Sequence, residues 1–403
     1  MTARRASAPR GFRAAWLWAG PGRLWAGRTV ILENGRVAAV EENPPAGMPV
    51  EDLGEALILP GLVNAHTHVE LSGLAGLATP RGDFLAWLEE LVASRPAQNK
   101  ERSHHLTARA AQEMAGAGVA LVGDITNTGL ARPALWDAGL SQVSLYEALG
   151  AANAEPPAPE LTWRDGRLTA GAIAAHAPYS VPGWRIQDLK ERSRAGLGVF
   201  CLHLAESRAE VEFLRGEGEE GRRLARFLAA RGVERRELGL RSPDGLRHLL
   251  ALGVLDDRTL VVHGVQLTSP DLALLAATGA SLCVCPRSNL GLTRAVAPVE
   301  EALARGMNLC LGTDSLASAP DLNLWREMAA LAELKPELAP EAILTMATVG
   351  GARALGLAES FGQVAPGRPA ALAWTPLPPG LAPDQVLAQA VSGGQGYALP
   401  GDG

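Results

Sequence analysis

At 403 residues the chain is too long for one small domain and suits a large barrel with an appendage. Hydrophobic residues make up 47% and charged residues 20%, enough for a large core, and a net charge of -6 speaks against a nucleic-acid or membrane-surface binder. Four cysteines (Cys201, Cys283, Cys285, Cys310) are too sparse for a disulfide scaffold and read as buried reduced thiols.

The first twenty residues hold no unbroken apolar core of signal-peptide length and no window approaches a membrane span, so the expected location is the cytoplasm. Short strand-like runs follow: Ala15–Trp18, Thr29–Leu32, Arg36–Val40 and Ala56–Leu59. Glu33-Asn34-Gly35 between two of them is a hairpin signal.

From about residue 60 strand-like runs alternate with helix-length segments. The run before His66 is followed by Val119–Asp124, Gln142–Glu147, Ala172–His176, Val199–His203, Thr259–His263, Ser281–Cys285 and Asn308–Asp314, which makes eight. Eight repeated β-then-α units predict an α/β fold, a (β/α)8 TIM-like barrel. The segment 154–159, rich in proline, reads as a surface loop. After about residue 350 the chain returns to turns and short strands, and Ala370–Trp374 is placed to pair with the N-terminal strands. The expected division is residues 1–57 and 351–403 as the two parts of a small β-sandwich domain, with 58–350 as the barrel.

A polar residue closes nearly every barrel run, at the end where such barrels carry their active sites. One histidine ending a strand means packing; five runs ending in His or Asp point to a site. His66 and His68, one residue apart, face the same way on a strand. With His203 and Asp314 they offer three imidazoles and a carboxylate, a set that suits Zn2+ or Fe2+ rather than Mg2+ or Ca2+. A catalytic metal lowers the pKa of a bound water toward about 7. Glu206, three residues after His203, could move that water's proton, and His263 could hydrogen-bond the water or a developing oxyanion. His66-Thr67-His68-Val69-Glu70 contains an H-x-E pattern, but no C-x-x-C run accompanies it, which rejects a cytidine-type zinc deaminase.

The runs L-P-G-L-V-N-A-H-T-H (59–68), H-A-P-Y-S (176–180), H-L-A-E-S (203–207), V-H-G-V (262–265), C-P-R-S-N (285–289) and G-T-D-S-L-A-S (312–318) occur in that order. Together they resemble the amidohydrolase superfamily, over about residues 25–375, and within it the aminodeoxyfutalosine, S-adenosylhomocysteine deaminase and chlorohydrolase branch. Binuclear members use a carboxylated lysine ending the fourth strand; none of Lys100, Lys190 or Lys335 ends a strand-like run, so the resemblance implies a mononuclear site. It implies His66, His68, His203 and Asp314 as ligands of one divalent metal, zinc first and iron second, Glu206 as proton shuttle and His263 as the residue orienting the water. It further implies His176 and Ser318 beside the substrate. The implied reaction is hydrolytic: water adds to the carbon bearing an exocyclic amine, Glu206 protonates the ring nitrogen and then helps ammonia leave, and His263 and Asp314 hold the tetrahedral state.

The runs His66–Ser72 and Gly82–Trp87 look most like aminodeoxyfutalosine deaminases, which act on a menaquinone route, with S-adenosylhomocysteine or methylthioadenosine deamination as the alternative. Ring-opening hydrolysis, chlorohydrolysis and a non-catalytic scaffold are the competing readings. Phe84 and Trp87 are expected to pack on the barrel or to form a lid. Arg287 and Arg81 are candidates for a substrate carboxylate, and Glu147 for the ribose or a rim salt bridge. The expected partner is a small nucleoside-like substrate, with a homodimer as the default assembly.

Overall fold

The computed structural model describes residues 8–95, 100–151 and 156–399. Residues 154–155 of the expected loop 154–159, and the first seven residues of the stretch read for a targeting signal, lie outside the described residues.

Eight parallel strands form the barrel: β1 (Leu62–Thr67), β2 (Val119–Thr126), β3 (Ser141–Ala148), β4 (Arg167–Ala175), β5 (Phe200–Leu204), β6 (Thr259–His263), β7 (Ser281–Val284) and β8 (Leu309–Leu311). Each pairs with the next. A parallel bridge between Thr67 and Asp314 closes the ring. Sheets covered on both faces need nearly continuous apolar strands, and Thr259–His263 is buried throughout. Alternate residues serve two cores. Cys201, Leu260 and Val262 pack with Val63 and Ala65, whereas Leu202 and Val261 pack with Leu249, Leu272 and Leu275 of the surrounding helices.

The termini build two further sheets. One is ordered Arg36–Glu41, Thr29–Glu33, Arg10–Arg13, Val50–Asp52; the other Tyr397–Ala398, Leu372–Pro376, Ala56–Pro60, Trp16–Trp18, Leu24–Ala26. Phe12, Val30, Leu17, Ile58 and Leu372 fill the core between them, a small sandwich made from both ends of the chain. Asn34 and Gly35 both have positive φ, 52° and 72°, as a two-residue hairpin turn requires.

Besides the short terminal strands Arg10–Arg13, Leu24–Ala26, Val50–Asp52 and Tyr397–Ala398, two features around the barrel are not among the expected elements. Leu161–Arg164 adds an antiparallel strand to β4 through a turn at Asp165 and Gly166 (φ 52° and 75°). The helices α1 (Phe84–Ser94), after β1, and α2 (Arg208–Arg215) and α3 (Glu219–Ala229), after β5, share a core of Phe84, Leu91, Phe213, Leu224 and Leu228 above the barrel mouth. No helix of the described residues is long and apolar enough to cross a membrane.

Candidate active site

Simple strand alternation brings His203 inward, since it shares the parity of Cys201. It would send His66 and His263 outward, on the parity of Leu62 and Val261. Local backbone irregularity corrects both. The β1–β2 register shifts between Asn64 and Thr67, and a bulge of this kind re-aims a side chain. His263 has φ 75° and Asp314 φ 58°, left-handed conformations uncommon outside glycine. The result is a convergence: ring or carboxylate atoms of His66, His68 and His203 lie within 4.8 Å of one another, as do those of Glu206, His263 and Asp314. Asp314 Oδ1 is 3.6 Å from His68 Nε2 and 3.8 Å from His66 Nε2, which joins the two groups.

The donor set fits a divalent metal on this structure's own evidence. His66 is fully buried, and neither ring nitrogen has a hydrogen-bond partner among the described residues. Such a group is costly unless something else satisfies it. His203 donates Nδ1–H to the His176 carbonyl at 2.8 Å, leaving Nε2 free. Ser288 and Ser318 each donate to Asp314 Oδ2 at 2.7 Å, so Oδ1 is the oxygen presented to the histidines. Burial, with the neighbouring imidazoles, lowers His68 to about 3, and burial lowers His176 to about 4. Neutral imidazoles are the ligating form. At Asp314 burial acts to raise the carboxyl, but the surrounding imidazoles outweigh it and hold it well below its usual range.

Glu206 Oε1 stands 3.5 Å from His263 Nε2. Burial, then Asp314 and Glu210, push the Glu206 carboxyl well above its ordinary value. Asn289 Nδ2 is 2.9 Å from His263 Nδ1; an amide N–H given there puts the ring proton on Nε2, facing Glu206. Glu147, raised by burial to about 7, stands 3.7 Å from His203 Nδ1 and accepts from Asn127 at 3.2 Å.

These residues floor a cavity of about 360 Å³ lined also by His176, Phe84, Trp87, Arg95 and Arg231. Phe84 and Trp87 belong to the buried core above the mouth, as the packing expectation has it, and also line the cavity.

Three expected substrate contacts are corrected. Arg287 is not at the cavity: it is held between Asp321 (2.6 Å) and Glu327 (2.7 Å), an ion-paired brace from helix α4 (Pro286–Thr293). Arg81 pairs with Glu90 at 2.8 Å at the surface. Ser318 is buried against Asp314 and holds that carboxylate instead of lining the cavity. The reading missed Ser288 and Asn289, although both lie in the C-P-R-S-N run, and it missed Glu210, Arg95 and Arg231. Position in the run was an available signal for the first two; nothing local marks the arginines among 34.

Residues 57–395 match the family model described as Amidohydrolase family. A protein of Nitratidesulfovibrio vulgaris named 5-methylthioadenosine/S-adenosylhomocysteine deaminase is 33% identical over 373 residues, covering 85% of this chain and 77% of that protein. Helicobacter pylori aminofutalosine deaminase, solved in complex with methylthio-coformycin, superposes with a TM-score of 0.83 at 20% identity, covering 97% of each chain. An adenosine deaminase from Xanthomonas campestris with bound zinc gives a TM-score of 0.76 at 25% identity, covering 96% of this chain and 90% of that one.

Proposed function

Because this chain belongs to the amidohydrolase family, we propose that its barrel mouth hydrolytically deaminates an adenine nucleoside derivative. The observation that carries the reading is the gathering of His66, His68, His203, Asp314, Glu206 and His263 on the floor of one cavity from four different strand ends. A divalent metal, zinc first and iron second, would be held by the three histidines and Asp314; when bound it supplies the Lewis acidity that makes a water nucleophilic near neutral pH.

The chain's own groups do the rest. Glu206 carries a proton to the purine ring nitrogen and then to the departing amine, which leaves as ammonia. His263, its tautomer set by Asn289, donates from Nε2 to the oxygen that adds. Asp314, tied by Ser288 and Ser318, keeps one oxygen fixed beside the histidines. His176 and Glu147 line the wall and position the nucleoside.

The substrate in this reading is 6-amino-6-deoxyfutalosine, supported by the runs His66–Ser72 and Gly82–Trp87 and by an apolar cavity wall that suits an aryl group. The Nitratidesulfovibrio relative favours a second reading, S-adenosylhomocysteine or methylthioadenosine. Ammonia release by the Zn- or Fe-loaded protein across these three compounds, adenosine and guanine tests both. Preference for the first supports the leading reading and preference for another nucleoside replaces the substrate. No ammonia from any of them, with metal bound, sinks the deaminase reading.

A further inference from the structure

The cavity is polarised from floor to rim, and the chemistry proposed above leaves the rim unused. Its floor holds the buried carboxyl groups of Glu147, Glu206 and Asp314. Its waist is apolar, with Phe84, Trp87, Leu91 and Leu228 buried along it. Its rim carries two exposed arginines from different elements: Arg95 at the C-terminal end of α1 and Arg231 just beyond α3.

Many arginines of this acidic protein are paired with carboxylates, as in Arg81–Glu90, Arg109–Glu113 and Arg208–Glu212, while others such as Arg235 and Arg368 are tied to backbone carbonyls. Arg95 and Arg231 form no ion pair among the described residues. Arg231 is nevertheless held in place: its guanidinium carbon lies 3.6 Å from the centroid of the Phe227 ring, and Nη1 donates to the Phe227 carbonyl at 2.8 Å. That leaves Nε and Nη2 for a ligand. The charge of Arg95 reaches the floor. Burial raises Glu147 and lowers His176, and Arg95 acts on both.

We propose that Arg95 and Arg231 form an anion subsite of this cavity, which takes a carboxylate at the end of the substrate remote from the reacting amine. The inference rests on the deaminase reading and narrows it. A guanidinium fork pairs a planar carboxylate through two parallel N–H···O bonds. Adenosine and methylthioadenosine bring no anion to the rim. An amino-acid tail brings a carboxylate but also an ammonium, which the same two cations repel. The arrangement therefore selects an adenine nucleoside whose apolar, aryl-like arm ends in a lone carboxylate.

The test compares 6-amino-6-deoxyfutalosine with its methyl ester, by ammonia release and by calorimetric Kd, in the wild type, Arg95→Ala, Arg231→Ala and the two lysine replacements. The wild type should prefer the acid by about tenfold, mostly through KM, and added salt should shrink that preference. Each alanine variant should lose most of the preference, and the lysine variants should keep part of it. Equal use of acid and ester by the wild type, or a preference that survives both alanine variants, overturns the subsite and leaves the deaminase reading intact. If neither compound releases ammonia the choice of 6-amino-6-deoxyfutalosine as substrate fails, and the five-compound comparison above decides the deaminase reading; the ratio of calorimetric Kd values still decides the subsite, and absence of any binding overturns it as well.

Discussion

The Glu210 carboxylate accepts the backbone N–H groups of Ala205 at 2.8 Å and of Glu206 at 2.9 Å. It thereby holds the turn that aims Glu206 at the cavity. Ala205 sits at φ 52°, a left-handed conformation that an alanine adopts only when its surroundings impose it. Ser207 caps α2 by accepting from the Glu210 N–H, so the turn and the helix start are one unit. Glu206→Gln should retain metal and lose activity by about a thousandfold, the size expected of a lost proton carrier. Glu210→Gln keeps the volume but offers an NH2 where an amide needs an acceptor. It should lower kcat by about tenfold with KM and metal content unchanged. Steady-state kinetics with metal analysis checks both. A Glu210→Gln protein that melts earlier yet keeps wild-type kcat would reduce Glu210 to a fold element.

Ser288 and Ser318 donate to the same oxygen of Asp314 from opposite directions in sequence, one from α4 and one from the loop after β8. Partners of this kind around a ligating carboxylate are worth about 10- to 100-fold in metal affinity. Ser288→Ala and Ser318→Ala should each weaken metal retention against a chelator by about tenfold, and the double variant by more. Because both hydroxyls serve one oxygen, the paired loss should exceed the product of the single losses. Wild-type retention in the double variant would mean that the strained backbone at Asp314 suffices to orient it.

The barrel and the cluster of side chains at its mouth were legible in the sequence for one reason: nearly every strand is an apolar run that ends in a chemistry-bearing residue, so element and cluster share one signal. Asn34-Gly35 announced its hairpin by the same logic of local chemistry. Asp165-Gly166 carries a comparable turn signal that was read past, and Arg10–Arg13 was passed over because four residues with an arginine at each end show no alternation. Which arginines reach the cavity was not legible at all. Arg287 lies beside a site residue in sequence but is captured by Glu327 from a distant helix, whereas Arg95 and Arg231 arrive through the packing of α1 on α3. That contact is tertiary, and no local pattern encodes it.

At the end of the barrel remote from the histidines, Lys190 donates to Asp256 at 2.6 Å and to Thr259 at 3.0 Å, with its own side chain almost fully buried. Asp256 also accepts the Arg258 N–H at 3.0 Å. Burial acts to raise Asp256, but these bonds outweigh it and hold the carboxyl below its ordinary 3.8. A carboxylate depressed in the folded state contributes stability above its unfolded pKa, and that contribution is lost as pH falls through the lower folded value. Asp256→Asn should cost about 1–2 kcal/mol at neutral pH, a figure reduced because Asp256 is half exposed. Melting curves of the two proteins should converge below about pH 4. A gap that stays constant into that acid range would show that the pair's charge is not what stabilises it.

Gly312 lies where β8 meets β1, and its lack of a side chain bears on the proposed metal site directly. A Cβ there would stand 2.6 Å from the His66 carbonyl oxygen, 2.8 Å from the His66 Cβ and 3.0 Å from Cys283 Sγ. The carbonyl of His66 accepts both the Thr313 N–H (3.0 Å) and the Asp314 N–H (3.2 Å), so this contact is the seam that closes the barrel and sets His66 against Asp314. Two of the three close atoms belong to the ligand residue itself, and the wall behind it is packed core, so the strain has no cheap outlet. Gly312→Ala should therefore weaken metal binding by at least about tenfold although no ligand atom is changed. It should also lower the melting temperature of the metal-stripped protein, because the seam exists without metal. Calorimetric metal titration alongside melting of the chelated form separates the two effects. Wild-type metal affinity in Gly312→Ala would mean the seam relaxes without moving His66, and would remove the close approach as the reason this position is glycine.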